Sequence, residues 1–270
     1  MDSRAIGVFD SGLGGLTVFK EIREQLPGES VIYFGDNGRA PYGTKSRETI
    51  IKYTLQDIRF LMNHDIKMMV IACNTMSAYS YELVKKSIDI PVVEVIAAGA
   101  AAAVKETKNR KLGIIGTVAT INSGAYEKAI NKLDHQIEIY QKACPLFVPL
   151  VEEGQEWWDN EVTLMVAEKY LAPLKKTGVD TLVLGCTHYP MLEPAIRKVM
   201  GDGVKLVNSA TEVAGVVKKM ISDHNIVRDP KLKPVYRYYT SDSVEKFEPL
   251  CGAILGRAVK SAEKVDIEKY

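Results

Sequence analysis

The chain has 270 residues, with 35 Lys and Arg set against 34 Asp and Glu. The formal charge is +1 with no block of like sign, which argues against nucleic acid or an acidic membrane as a partner. Hydrophobic residues at 46% suffice for one large or two modest cores, and no apolar run approaches a membrane span. The N-terminal run AIGVF is too brief for a signal segment, so a cytoplasmic protein is expected. Cysteines 73, 144, 186 and 251 show no short paired spacing, so reduced thiols are expected rather than a disulfide framework or a zinc ribbon.

In chain order, short β-rich apolar runs alternate with amphipathic stretches, which predicts an α/β fold with parallel sheets. Strands are expected near 5–9, 30–34, 67–72, 91–95, 111–116, 137–140, 180–184, 204–207 and 235–240. The first helix opens at DSGLGG, carries Leu16, Val18, Phe19, Ile22 and Leu26, and stops at Pro27-Gly28. The second runs from Ser46, its N-cap, to about Asn63, with Ile50, Ile51, Leu55, Ile58 and Leu61 as the apolar stripe. No Pro/Gly/Ser-rich linker divides the chain. The alanine-rich IAAGAAAAV (96–104) precedes a second βα series and marks the best boundary, with a return crossing near Asn208-Ser209. The expected division is therefore 1–97 plus 208–270 as one domain and 98–207 as the other.

Ligands of open α/β sheets bind beyond the carboxyl ends of the strands, so polar residues directly after apolar runs are the ones to collect. Five such junctions occur: Asp10-Ser11, Asp36 to Gly43, Cys73-Asn74-Thr75, Thr117 to Thr120, and Cys186-Thr187-His188. Most carry hydroxyls, amides or small residues, a composition that suits a polar cradle for carboxylates at helix N-termini. DSGLGGLTV lacks the lysine of a phosphate loop and the glycine spacing of a dinucleotide site, and reads as a tight turn that brings Ser11 near a ligand. FGDNGRAPYG is longer than a simple connection needs, and such loops often carry binding residues.

MVIACNTMS (69–77) and LVLGCTHYP (182–190) are echoes of one another, each an apolar run ending in small-Cys-polar-polar. A thiol at a strand end and helix start feels the positive end of the helix dipole, which lowers its pKa. Each cysteine alone also fits a small buried hydrophobe, as Cys144 and Cys251 do. The matched contexts favour a pair. Two thiols facing across a cleft suit inversion at carbon, one removing a proton while the other supplies one. Asp10 and His188 are candidates to tune them. Glu152-Glu153 read by default as surface, Trp157-Trp158 as core or subunit contact, and His64, His135 and His224 as solvent-facing.

The motifs GVFDSGLGGLTV, YFGDNGRAPYG, MVIACNT, IGTVAT, PLVEEG and LVLGCTHYP, in this order over residues 7–190, closely resemble the glutamate racemases of bacterial peptidoglycan synthesis. The resemblance implies two pseudo-symmetric parallel-sheet α/β domains, one inserted in the other, with the active site at their interface. It implies a cofactor-independent, metal-free, two-base interconversion of L- and D-glutamate. Cys73 and Cys186 would be the bases, Cys73 the one acting toward D-glutamate, supported by Asp10, Glu152 and His188. Ser11, Tyr42, Gly43, Asn74, Thr75 and Thr187 would be substrate contacts, with Asp10 and His188 sharing that duty; Asp36, Pro41 and Thr117 match less decisively. A homodimer is the common family state. The chain starts a few residues before its first strand, without the extension that accompanies precursor activation in some members, so such control is not expected.

Competing expectations remain open at this stage. They are racemisation of aspartate or another amino acid, a non-catalytic dicarboxylate sensor, a thiol-redox protein, and a zinc site from Cys73, Cys186 and His188. The lack of a short CxxC speaks against the redox case, and three ligands of mixed origin make a poor zinc set.

Overall fold

All nine apolar runs marked in the sequence become strands, and every pairing between them is parallel. The computed structural model describes residues 1–270. The chain opens with β1 (Ala5–Asp10), α1 (Leu16–Gln25) and β2 (Val31–Gly35), followed by a loop containing two 3-10 turns, Asn37–Arg39 and Tyr42–Thr44. Next come α2 (Arg47–Met62), β3 (Ile66–Ile71), α3 (Asn74–Ser87), β4 (Val92–Glu94) and α4 (Val95–Glu106). The second series is β5 (Lys111–Gly116), α5 (Val118–Asn122), α6 (Ala125–Leu133), β6 (Glu138–Ala143), α7 (Phe147–Glu152), α8 (Glu161–Lys175), β7 (Thr181–Gly185), α9 (Glu193–Met200) and β8 (Lys205–Asn208). The chain ends with α10 (Ser209–Asp223), β9 (Tyr236–Thr240), α11 (Val244–Leu255) and β10 (Ala262–Lys264). No helix is long and apolar enough to cross a membrane.

These elements make two parallel-sheet α/β domains. One sheet has the order β10-β9-β2-β1-β3-β4, the other β6-β5-β7-β8. The run β2-β1-β3-β4 and the run β6-β5-β7-β8 follow the same connection order four strands apart, so β3 and β7 are counterparts. This is the structural basis of the sequence echo, because Cys73 follows β3 and Cys186 follows β7. After β8 the chain returns through α10 to add β9 and β10 beside β2.

The sheets share an apolar core. A cluster of 36 buried residues runs from Ile6 and Val8 of β1, through Ala98, Ala100 and Ala103 of α4, to Leu112 and Ile114 of β5 and Val183 of β7. The alanine-rich segment is thus a tightly packed helix, consistent with the small side chains that let α4 approach α10 and α6.

Local rules explain most element ends. Ser46 caps α2 by accepting from the Thr49 amide at 3.3 Å, an interaction type that contributes about 1 kcal/mol. Leu16, Val18, Phe19 and Ile22 form the buried face of α1 as the pattern predicts. The structure departs from the pattern in three places. Strand β10 has no apolar signature, being a short charged edge strand. On α2, Ile51 and Leu55 are only half-buried, while Gln56 and Asp57 turn inward to meet Arg39. His64 is not solvent-facing: it is half-buried, with its ring packed against Phe60 and Tyr239, whereas His135 and His224 are exposed as expected.

Candidate active site

Parallel register brings the five polar junctions together. Phe9 pairs with Ile71 and Asp10 with Gly35, so Asp10, the Asp36 loop and Cys73 emerge side by side from the carboxyl edge of the first sheet. Gly116 pairs with both Ala143 and Gly185, which places Thr117, Cys144 and Cys186 along the corresponding edge of the second. The two edges face each other across a cavity of about 210 Å³ lined by both Cys73 and Cys186. That is smaller than the usual range of roughly 300–1,000 Å³ for drug-sized ligands and suits a small metabolite.

On the first side, Cys73 is the N-cap residue of α3 and its Sγ donates to Ser11 Oγ at 3.4 Å. Burial above all, and then the Asp10 charge, push this thiol up to about 12. The Ser11 contact and the Met76 amide pull the other way without prevailing. The helix N-terminus therefore does not yield the lowered pKa that the sequence suggests. Asp10 is fully buried; its Oδ1 accepts the Gly12 amide at 3.0 Å and its Oδ2 accepts Thr187 Oγ1 at 3.1 Å. Burial raises its carboxyl above the ordinary value despite the His188 charge, the Gly15 and Gly12 amides and the Thr187 hydroxyl.

On the second side, His188 Nδ1 lies 3.8 Å from Cys186 Sγ, and its Nε2 lies 3.0 Å from Glu152 Oε1. Burial alone would lower the imidazole, but hydrogen bonds to Cys186 and Glu152 and their charges outweigh it, and its pKa stands well above the ordinary value. Glu152 is lowered in return: burial opposes, and the His188 hydrogen bond and charge prevail. Glu152, His188 and Cys186 thus form a continuous chain of contacts from the cavity rim to a buried sulfur. Glu152 sits at the end of α7, which is fixed by Trp158 Nε1 donating to Val151 O at 3.0 Å.

The facing edges are in close contact. A Cβ on Gly14 would stand 2.3 Å from Thr187 Oγ1 and 2.6 Å from His188 Nδ1, so only glycine lets the first loop nest against the second. A Cβ on Gly43 would stand 2.5 Å from Thr117 Cβ. Thr75, Thr117 and Thr120 form a hydroxyl triangle across the cleft with separations of 2.9, 3.2 and 2.9 Å. Asn74 Oδ1 accepts from Tyr126 OH at 2.7 Å, while its Nδ2 is buried without a partner and available to a ligand acceptor.

Ser11, Tyr42, Gly43, Cys73, Asn74, Thr75, Glu152, Cys186, Thr187 and His188 all line this cavity, and Asp10 lies directly behind through Thr187. Glu152 therefore departs from its default reading as surface, whereas Glu153 keeps it. Tyr42 lines the wall, but its hydroxyl donates to Asp36. Cys144 and Cys251 are buried, and all four cysteines are free. Sequence reasoning misses Tyr126, whose helical context looks like ordinary core, and the lining residues Pro145 and Val148. No group of three or more His, Cys, Asp or Glu is arranged to hold a metal ion.

The family model described as Asp/Glu/Hydantoin racemase matches residues 6–216. The glutamate racemase of Geobacter metallireducens is 47% identical over 268 residues, spanning 99% of this chain and 98% of its own. A crystal structure of glutamate racemase isoform RacE1 from Bacillus anthracis superposes with a TM-score of 0.94 at 41% identity, covering 98% of each chain. That of the Francisella tularensis glutamate racemase in complex with D-glutamate gives 0.93 at 38% identity, covering 100% of both.

Proposed function

The chain belongs to the Asp/Glu/Hydantoin racemase family and is a glutamate racemase by its relatives, and we propose that it interconverts L- and D-glutamate by a two-cysteine, two-base mechanism. One observation carries the mechanism: two buried thiols, from counterpart strands of two topologically repeated sheets, line one small cavity. In this reading the thiolate of one cysteine takes the Cα proton. The thiol of the other delivers its own proton to the opposite face of the resulting carbanion. Each turnover exchanges the protonation states of the two sulfurs, so no net proton is consumed.

The surroundings divide the labour. Cys73 rests as a thiol, ready to donate when Cys186 acts as base on L-glutamate, and it is the base when D-glutamate is the substrate. The cationic imidazole of His188 sits beside the Cys186 sulfur as a donor, held in place by Glu152. The unpartnered Asn74 amide and the hydroxyls of Ser11 and Thr75 offer donors to the substrate carboxylates, while Thr187, whose hydroxyl proton goes to Asp10, lines the site and can accept from the substrate ammonium. Gathering donors where negative charge develops is the main source of stabilisation for such a carbanion. No cofactor takes part in this reading, which divides the chain into 1–97 plus 208–270 and 98–207. It also carries a cytoplasmic homodimer that supplies D-glutamate for peptidoglycan.

The test is solvent exchange. In D₂O, either enantiomer of glutamate acquires deuterium at Cα as it racemises, and Cys73→Ala or Cys186→Ala removes general-base catalysis, slowing racemisation by at least about 10²–10⁴-fold. Full activity in either variant contradicts the assignment. Aspartate in the same assay separates the glutamate reading from its nearest chemical neighbour, and light scattering reports the oligomeric state.

A further inference from the structure

Behind the cavity wall made by Tyr42 and Gly43 lies a buried ionic cluster that proton transfer does not use. Asp36, at the end of β2, and Asp57, on α2, are both fully buried and face one guanidinium. Arg39 Nε donates to Asp36 Oδ2 at 2.6 Å and its Nη2 donates to Asp57 Oδ1 at 3.0 Å. Its Nη1 donates to Gln56 Oε1 at 2.6 Å and to Glu268 Oε1 at 3.2 Å, and its plane lies over the Tyr53 ring, 4.0 Å from the centroid. The other oxygen of Asp36 accepts Ser241 Oγ at 2.6 Å, and Tyr42 OH donates to Asp36 as well.

Arg39 therefore ties the loop after β2 to α2 and to the C-terminal segment, and its partner Asp36 ties the same loop to the turn after β9. Taking two carboxylates and a guanidinium out of water is costly, and such a cluster is poor value as stability alone. Its position explains it better. The loop it grips carries Tyr42 and Gly43 into the cavity, and Gly43 meets Thr117 of the opposing domain with no room for a methyl group. A shift of a few tenths of an ångström there displaces the cavity wall. Burial, followed by the Asp36 charge, holds Asp57 well above the usual carboxylate range. Asp36 and Arg39 meet directly under the wall.

Resting on the racemase reading above, we propose that Arg39 is a positioning residue for substrate binding. It holds the Tyr42-Gly43 wall in register through Asp36 and the Tyr42 hydroxyl, and so sets the affinity for glutamate rather than the rate of proton transfer. Lysine cannot reproduce this role, because a point ammonium does not span Asp36, Gln56 and Asp57 together.

Steady-state kinetics of Arg39→Lys with both enantiomers tests the role. The expected result is KM raised about tenfold or more for each, with kcat within about threefold, the signature of lost uniform binding. Should Arg39→Lys fail to fold, Gln56→Leu removes one acceptor of Nη1 and leaves the contacts of Arg39 to Asp36, Asp57 and Glu268, and KM is then expected to rise about threefold at unchanged kcat. A KM equal to wild type in the folded variant, or a fall in kcat alone, overturns the proposal. A wild-type protein that fails to racemise glutamate overturns the function instead, so the two failures are distinguishable.

Discussion

Replacing Glu152 with glutamine retains the shape of the side chain and removes its charge from a carboxylate 3.0 Å from His188 Nε2. A hydrogen bond to a charged group contributes about 1.5–3 kcal/mol and a neutral one about 0.5–1.5 kcal/mol, so the exchange costs the imidazolium about 1–2 kcal/mol. The Glu152 side chain is 30% exposed, which screens the charge and favours the lower figure. At 1.36 kcal/mol per unit, His188 in Glu152→Gln is expected to lose its proton about one pH unit below wild type. The sign follows from linkage. The folded value of His188 lies above that of an unfolded histidine, so its contribution to stability is complete below the unfolded value and is lost as pH rises through the folded one. The substitution brings that loss to lower pH. Nitrogen NMR of histidine-labelled protein reads the midpoint directly, with His64, His135 and His224 as internal references. The alkaline limb of kcat is expected to move in the same direction. Because enantiomers are equal in free energy, kcat/KM must fall equally for L- and D-glutamate while the two kcat values need not. An unchanged or raised His188 midpoint in the variant refutes this coupling.

Three further outcomes are expected. Between the ordinary thiol range and about 12, folded Cys73 keeps a proton that the unfolded chain has lost, so stability falls across that window. The fall approaches about 1.4 kcal/mol per pH unit for one group. Burial also pushes Cys144 and Cys251 up to about 12, so chemical denaturation at stepped pH should show a steeper fall in wild type than in Cys73→Ala, by one group's share. Gly14→Ala drives a methyl group into Thr187 and His188, and racemisation should fall at least tenfold while circular dichroism stays native; full activity refutes the close fit. Lys67 is fully buried in β3, where its ammonium meets Glu29 Oε2 at 2.6 Å and the Asp2 and Ile226 carbonyls at 2.9 and 2.7 Å. Lys67→Met strands the Glu29 charge and should cost about 3–5 kcal/mol in urea denaturation, against a smaller loss when Glu29→Gln accompanies it.

How much of this was legible beforehand depends on what each feature leaves in the sequence. Strands buried on both faces are largely apolar, Lys67 of β3 being the exception, so MVIA and LVLG stand out and their ends point to Cys73 and Cys186 without any structure. The β3–β7 correspondence shows in the same way, since topological repeats put like residues after like strands. Features that depend on distant partners leave no such trace. Tyr126 occupies an apolar-face position on α6, and nothing local reveals that its hydroxyl reaches Asn74 from the other domain. Asp57 sits in an amphipathic helix as a surface residue would, until Arg39 draws it inside. Glu152 next to Glu153 looks like a solvated pair, and only the orientation of α7 decides which of them meets His188.

The clearest disagreement between local rule and structure concerns the Cys73 thiol, and it bears on mechanism. A helix N-terminus contributes about 0.3–1 kcal/mol to an anion, whereas full burial can shift a titrating group by up to 3–5 units, so desolvation wins at Cys73. A sulfur near 12 is a poor base at neutral pH but also an unreactive one, protected from oxidants and electrophiles. What changes the balance is the substrate itself, since an amino acid brings an ammonium group into the cavity. At a separation of about 4 Å and an effective dielectric constant of about 20, one such charge is worth about 4 kcal/mol, or about 3 pH units. With the two substrate carboxylates held by donors such as the Asn74 amide, away from the sulfur, the ammonium would lower the Cys73 thiol toward the ordinary range while substrate is bound. Ultraviolet thiolate absorbance in the Cys186→Ala variant should therefore be low without ligand and rise on adding D-glutamate, and an equal signal in both states contradicts the argument. On this account the burial that opposes ionisation of the free enzyme confines the reactive thiolate to the complex, where its proton has a carbon to come from.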